Sequence, residues 1–198
     1  MIARRRLLAL LALLALLPAA GCGPDRPRFH ATELDSGAVG GDFALTDASG
    51  RLRRPADFRG KAVVLFFGYT SCPDICPGAL ARFADVLSRP GLGPDRVQVL
   101  FVSLDPERDT PQRLREFVGW FDRSFIALTG DPATIAEVAR KYRVTSRRRE
   151  VGGGLGYVLD HTAGAYVFGP DGRLRLYLAE NAETDRIADD IRLLLAGQ

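Results

Sequence analysis

The chain has 198 residues, 46% of them hydrophobic and 26% charged, enough for one domain with a core of its own and no need of disulfide staples. Its formal charge of +3 disappears once Arg4, Arg5 and Arg6 are set aside: they lie in a first 21 residues without an acid, and beyond them 24 basic side chains meet 24 acidic ones. A neutral remainder excludes an electrostatic case for nucleic acid as a partner.

Arg4 to Arg6 form a basic leader, followed by an apolar stretch of 14 residues, Leu7 to Ala20. That is shorter than the roughly 20 residues of a membrane-spanning helix and suits the core of a secretory signal. It ends in Ala19-Ala20-Gly21-Cys22, which resembles a bacterial lipobox with Cys22 as the lipidated residue. Ala19 stands where Leu is commonest, so a conventionally cleaved signal is the alternative. Three arginines also allow a twin-arginine signal, but the leucine-rich core favours the general export route. Residues 1–21 are thus read as a lipoprotein-type signal peptide, and the remainder as extracytoplasmic, lipid-anchored to the periplasmic face of the membrane. Residues 22–37, polar and broken by Pro24 and Pro27, read as a tether, with His30 a solvated side chain within it. The domain is expected over residues 38–198.

Within that domain, Phe43-Leu45 and Leu52 flank the turn Asp47-Ala48-Ser49-Gly50 and predict a small hairpin. Ala62 to Tyr69 is an unbroken apolar run, expected as a strand buried on both faces, and Val97 to Leu104 is a second. Between them a helix is expected from Pro77 to Ser88, its stripe formed by Leu80, Phe83, Ala84 and Leu87. Thr110-Pro111 and Asp131-Pro132 each place a capping side chain before a proline suited to the first helical position. The first of these helices carries the apolar stripe Leu114, Phe117, Val118 and Phe121 and the second runs to about Tyr142, with a short strand, Phe125 to Leu128, between them. Gly152-Gly153-Gly154 reads as a loop. Strands are expected next at Tyr157–Leu159, Ala165–Phe168 and Leu174–Leu178, the last two joined by the turn Pro170-Asp171-Gly172, and a helix closes the chain from Thr184 to Leu195. Alternating strands and helices ending in a hairpin describe an α/β fold with a mixed central sheet flanked by helices.

Lipidation of Cys22 would leave Cys72 and Cys76 as a pair. Outside the cytoplasm such a pair closes to a disulfide unless it is reduced or occupied by metal. It lies in Gly68-Tyr69-Thr70-Ser71-Cys72-Pro73-Asp74-Ile75-Cys76-Pro77, between a strand and a helix, where open α/β sheets place their sites. With Pro77 as the first helical residue, Cys76 falls near the N-cap, where the helix dipole favours its thiolate. Once Cys22 and His30 are set aside, the Cys and His that remain are Cys72, Cys76 and His161, and the one Met is Met1. Three soft ligands suit Cu(I) better than zinc, whose structural sites usually take four. A plain structural disulfide is the competing account of the pair.

The sequence resembles the SCO/SenC family of copper chaperones for cytochrome c oxidase assembly. The resemblance runs from about Val39 to Leu195 and rests on GGDFALTDASGR, RGKAVVLFFGYTSCPDICP, SLDPERDTPQRLREFV, ALTGDPATIAEVARKYRV and YVLDHTAGAYVFGPDGRL. Ser71 departs from the His found in many bacterial members. The resemblance implies a thioredoxin-like fold and copper, as Cu(I) and also Cu(II), held by Cys72, Cys76 and His161. Cys72 and Cys76 would form the disulfide of the oxidised protein. It implies delivery to the dinuclear copper site of cytochrome c oxidase subunit II or to another exported copper protein. Asp160 matches the acidic neighbour of the histidine and either orients the imidazole or buttresses its loop. Asp105-Pro106-Glu107-Arg108-Asp109-Thr110 reads first as a turn leading into a capped helix, with partner docking as the other account.

Two rivals stand against a metallochaperone. A thiol–disulfide oxidoreductase, using Cys72 and Cys76 as its redox dithiol, generally faces them with a cis-proline; His161-Thr162-Ala163-Gly164-Ala165-Tyr166 offers none, although both activities need the same dithiol. A peroxiredoxin-like peroxidase needs Thr or Ser three residues before its cysteine, and Tyr69 stands there.

Overall fold

The computed structural model describes residues 28–35, 37, 39–152 and 156–198. The signal segment, Cys22 and the loop glycines 153 and 154 lie outside the described residues. In chain order the elements are β1 (Thr32–Glu33), β2 (Leu45–Asp47), β3 (Leu52–Arg53), a short 3-10 turn (Pro55–Phe58), β4 (Ala62–Gly68), α1 (Ile75–Ser88), β5 (Val97–Ser103) and α2 (Pro111–Gly119). Then come β6 (Ile126–Thr129), α3 (Pro132–Lys141), β7 (Ser146–Glu150), β8 (Tyr157–His161), β9 (Ala165–Phe168), β10 (Leu174–Leu178) and α4 (Thr184–Leu195).

The continuous apolar runs behave as expected. β4 and β5 are buried at every position and pair in parallel from Ala62 opposite Val97 to Gly68 opposite Ser103. They form the centre of a mixed sheet in the order β1-β10-β9-β4-β5-β6-β2-β3, with β6 parallel to β5 and β9 antiparallel to β4. Alternation along β4 sends Val64 and Phe66 to one face, among side chains of α1, α2 and α4. Val63, Leu65 and Phe67 go to the other face, packed with α3, Phe58, Tyr142 and Tyr166. A sheet covered on both faces is what strands without polar positions require. The fold is the expected α/β arrangement of a mixed sheet flanked by helices.

The helix starts obey local chemistry. Thr110 accepts a hydrogen bond from the Arg113 amide and Asp131 from the Thr134 amide, each followed by proline in the first turn. α1 departs from expectation. It begins at Ile75 rather than Pro77, so Pro77 is its third residue. Proline is tolerated there because the first four helical amides have no partner inside the helix.

Two strands carry no hydrophobic signal. β1 lies in the stretch expected to be tether, yet pairs antiparallel with β10. Just before it, the amides of His30 and Ala31 donate to the carboxylate of the buried Asp190 in α4, at 2.7 and 2.8 Å. The folded unit therefore starts before residue 38, although the His30 residue itself is exposed. β7, exposed throughout, forms a separate two-stranded sheet with β8.

The register of β9 brings the histidine segment to the end of the central strand. Ala165 pairs with Phe66 near the carboxyl end of β4, so residues 161–164 are delivered beside the segment that leaves β4. No helix among the described residues is long and apolar enough to cross a membrane.

Candidate metal centre

Gly68 ends β4, and a side chain there has no room: a Cβ would lie 2.7 Å from Cys76 Sγ and 2.8 Å from the Phe101 ring. The close approach lets α1 set Cys76 directly on the end of the strand, fully buried. Cys72 lies on the turn before the helix, where its amide donates to the Tyr69 carbonyl at 3.3 Å, and it is half-buried. The Cys76 amide donates to Cys72 Sγ at 3.4 Å. Both cysteines are free thiols.

His161 reaches the pair as the last residue of β8. Its Nε2 is 3.5 Å from Cys76 Sγ, and its Nδ1 is 2.8 Å from the Thr162 carbonyl. A carbonyl can only accept, so Nδ1 carries a proton, and Nε2 is the atom directed at the sulfurs. The ring stands edge-on to Phe66 and Tyr69, with centroids 6.5 and 5.9 Å away. The ligand atoms of Cys72, Cys76 and His161 all lie within 4.8 Å of one another. Two soft sulfurs and an imidazole nitrogen so close together suit a soft, low-coordinate cation such as Cu(I).

The electrostatics of the thiols run opposite to the sequence expectation. Cys72 is the one held below the ordinary thiol range, first by its hydrogen bond with the Cys76 thiol, then against burial by His161 and the amides of Asp74 and Cys76. Cys76 is pushed up, by the same bond and by burial. The register of α1 adds to this. Because the helix starts at Ile75, its first amides point back at Cys72, whereas Cys76 lies inside the first turn with its sulfur in the core.

Residues 105–109 do more than lead into α2. The buried Asp109 carboxylate accepts from the Thr70 amide at 3.1 Å, from Thr70 Oγ1 at 2.5 Å and from Ser103 Oγ at 2.7 Å, fixing the cysteine turn. Asp105, also buried, accepts from the Tyr157 hydroxyl at 2.7 Å and from Arg108 Nε at 2.5 Å, and Arg108 donates on to the Tyr157 carbonyl at 2.9 Å. The Arg108 guanidinium also lies 3.4 Å from the Tyr157 ring centroid. One short segment thus ties down both the turn bearing Cys72 and the strand bearing His161.

A family model described as SCO1/SenC matches residues 31–196 of the chain. The chain belongs to the SCO1/SenC family. It is 40% identical over 168 residues to the mitochondrial protein SCO2 homolog of Bos taurus, a match covering 82% of this chain and 62% of that protein. The chain spans about three fifths of the length of the first curated relatives it matches. Among solved structures it is similar to Bradyrhizobium japonicum ScoI with copper bound, at 39% identity and a TM-score of 0.70, covering 78% of this chain and 98% of that one. It is likewise similar to Arabidopsis thaliana ScoI with copper bound, at 33% identity and a TM-score of 0.74, covering 81% and 100%. These neighbours share the thioredoxin-like architecture expected from the sequence.

The fold brings Cys72, Cys76 and His161 together and leaves Asp160 aside. Asp160 directs its exposed carboxylate to Arg149 of β7, with contacts of 3.0 and 3.2 Å, and so buttresses the hairpin. The hydrogen bond that orients the imidazole is instead the one its Nδ1 donates to the Thr162 carbonyl. Gly68, Tyr157 and the bracing role of Asp105, Arg108 and Asp109 are not evident from the sequence. The acidic residues of 105–109 are the available signal, since carboxylates beside a buried strand need partners.

Proposed function

We propose that this protein is an extracytoplasmic copper metallochaperone. Cys72, Cys76 and His161 carry Cu(I), with Cu(II) a second state open to the same residues, and pass it to the dinuclear copper site of cytochrome c oxidase subunit II. The observation that carries this reading is the convergence of two sulfurs and an imidazole nitrogen within 4.8 Å, at a turn where Cys72 is only half-buried. Copper is cargo here: a three-ligand site open on one side lets an acceptor's ligands enter as the chaperone's leave. Family membership and the copper-bound neighbours support the choice of metal. The leader ending at Cys22 supports export and a lipid anchor on the periplasmic face.

The test is an anaerobic Cu(I) titration of the reduced full chain against a competing chelator, with Cys72→Ser and His161→Ala alongside. Tight binding at one copper per chain, lost in Cys72→Ser and weakened in His161→Ala, is expected. Equal affinity in His161→Ala would refute the three-ligand centre.

One observation favours a second reading, a thiol–disulfide oxidoreductase. The half-exposed Cys72 favours the thiolate while the buried Cys76 retains its proton, the asymmetry of an attacking and a resolving thiol. Cys72 would attack a target disulfide and Cys76 would resolve the mixed disulfide, leaving a Cys72–Cys76 bond and passing two electrons to the target. Weak copper binding together with rapid reduction of a test disulfide would select this reading.

A further inference from the structure

β7 reads Ser146-Arg147-Arg148-Arg149-Glu150 and is exposed at every position. With Arg140, Lys141 and Arg143 just before it, the stretch 140–150 holds six cationic side chains against the single acid Glu150. Beyond the leader the chain carries no net charge, so this is a local concentration of positive charge. Part of it is answered within the fold: Lys141 pairs with Glu137 at 2.9 Å, Arg148 with Glu150 at 2.7 Å and Arg149 with Asp160 at 3.0 Å. Arg148 also stacks on Tyr157, 3.7 Å from its ring centroid. Arg140 and Arg147 make no ion pair among the described residues.

The place of this charge matters more than its amount. Ser146 is the register partner of His161, and Arg147 is the partner of Asp160. Along the backbone the arginine row therefore begins one residue, a rise of about 3.3 Å, from the rung that carries the imidazole, with Arg147 on the same face as Asp160. Arg113 adds a further cation beside the cysteine turn, where it donates to Ser71 Oγ at 2.9 Å. The exposed acids Asp74 and Glu107 belong to the same neighbourhood and temper the field without cancelling it.

We propose that the β7–β8 hairpin is the docking surface for the copper acceptor, and that the acceptor meets it with an acidic face. The proposal rests on the chaperone reading and names the partner chemistry of the same site. Positive charge beside the exit of the cargo accelerates encounter with an oppositely charged partner and orients it. An anionic membrane would attract the same arginines, but it would cover the opening through which the metal must leave.

The experiment tracks Cu(I) transfer from the full chain to the copper-free, reduced soluble domain of cytochrome c oxidase subunit II, over a range of ionic strength. Arg147→Glu is compared with the unaltered protein, because Arg147 makes no direct ion pair among the described residues and meets Asp160 only through the longer-range attraction across their rung. Chelator titration of the same samples reads the metal centre alone. Transfer by the unaltered protein should slow as salt rises, and Arg147→Glu should slow it about three- to ten-fold at low salt while leaving Cu(I) affinity unchanged. The two proteins should converge near 1 M salt, where the screening length is about 3 Å. Arg147→Glu places an acid opposite Asp160; should the hairpin not tolerate it, Arg147→Gln tests the same point with a smaller slowing in the same direction. Equal transfer rates at every ionic strength, with copper affinity intact, would overturn the proposal. So would a variant that transfers normally but no longer binds phosphatidylglycerol vesicles, which would make the hairpin a membrane contact. Failure of the unaltered protein to bind Cu(I) in the chelator titration would instead remove the chaperone reading, and the docking proposal with it.

Discussion

Cys76 is fully buried in the first turn of a helix packed on the central sheet, whereas His161 ends a strand of a separate two-stranded sheet. The cysteine side is held by the core: Phe101 and Gly68 fix where the sulfur sits, and Asp109 locks the turn that carries Cys72. The histidine side also touches the core, through Val158 and the rings beside the imidazole, but it relies in addition on polar contacts: Tyr157 on Asp105, Arg108 on the Tyr157 carbonyl and the imidazole Nδ1 on the Thr162 carbonyl. Side chains packed in a core lose most of their freedom, while a strand held by a few hydrogen bonds can be displaced at modest cost. A centre with one side packed wholly in the core and the other braced largely by hydrogen bonds would suit the proposed chaperone, which has to hold its cargo and then give it up.

The largest expected effect comes from disturbing the rigid side. In Gly68→Ala the new methyl meets Cys76 Sγ and Phe101, both buried, so one of them must move. Overpacking of this kind costs about 1–3 kcal/mol of stability, read by denaturant unfolding. Displacement of Cys76 raises the Cu(I) dissociation constant about ten-fold, equivalent to about 1.4 kcal/mol, in the chelator titration. A copper affinity unchanged in Gly68→Ala would show that the strand end does not position the sulfur.

Tyr157→Phe breaks the other side. It leaves the buried Asp105 without its 2.7 Å donor and should cost about 1–2 kcal/mol. The loss should fall on the hairpin, seen as faster amide exchange in β8 than in β4. Copper affinity should drop less than in Gly68→Ala. Uniform loss of protection across both sheets would mean that the two regions unfold as one.

The two thiols sharpen the comparison further. Cys72 is held below the ordinary thiol range, so its thiolate persists as pH falls through that range, whereas Cys76 keeps its proton as pH rises through it. Alkylation of the reduced protein by iodoacetamide should therefore modify Cys72 first. Its rate should stay nearly level from about pH 8.5 down to about pH 7, where an ordinary thiol loses about ten-fold per unit. Peptide mapping that found Cys76 modified first would reverse the assignment.

The smallest effect is expected from Asp160→Asn. An exposed ion pair contributes about 0–1 kcal/mol, so stability should change little. Because the Asp160 carboxylate bonds Arg149 and not the imidazole, the His161 ring signals and the Cu(I) affinity should stay where they are. A large loss of affinity would return Asp160 to a direct role in orienting the ring.

Much of this is legible in the sequence. The apolar runs of β4 and β5, the capped starts of α2 and α3 and the last helix arise from patterns a few residues long, because burial and capping are decided locally. The candidate side chains Cys72, Cys76 and His161 can be named, since few soft ligands exist in the chain. β1 and β7 cannot be found, because neither has a buried alternation; β1 exists because the distant β10 offers its edge, and β7 because the next strand, β8, does. The sequence assigns the thiolate to the wrong cysteine for a related reason. A two-residue difference in where α1 begins decides which sulfur receives the helix amides.

By itself the sequence determined the residue types, the central strands and the chemistry of the ligand set, all of which depend on identity and short-range order. Only the tertiary structure decided that the segment 105–109 braces both halves of the centre, that Thr162 rather than Asp160 holds the imidazole, and that a basic strand lies beside it. The Thr162 contact is between neighbours in the chain and depends on the backbone turn that ends β8, whereas the bracing by 105–109 joins residues from separate elements, through contacts whose energy exists only once the sheet has closed and brought their partners within reach.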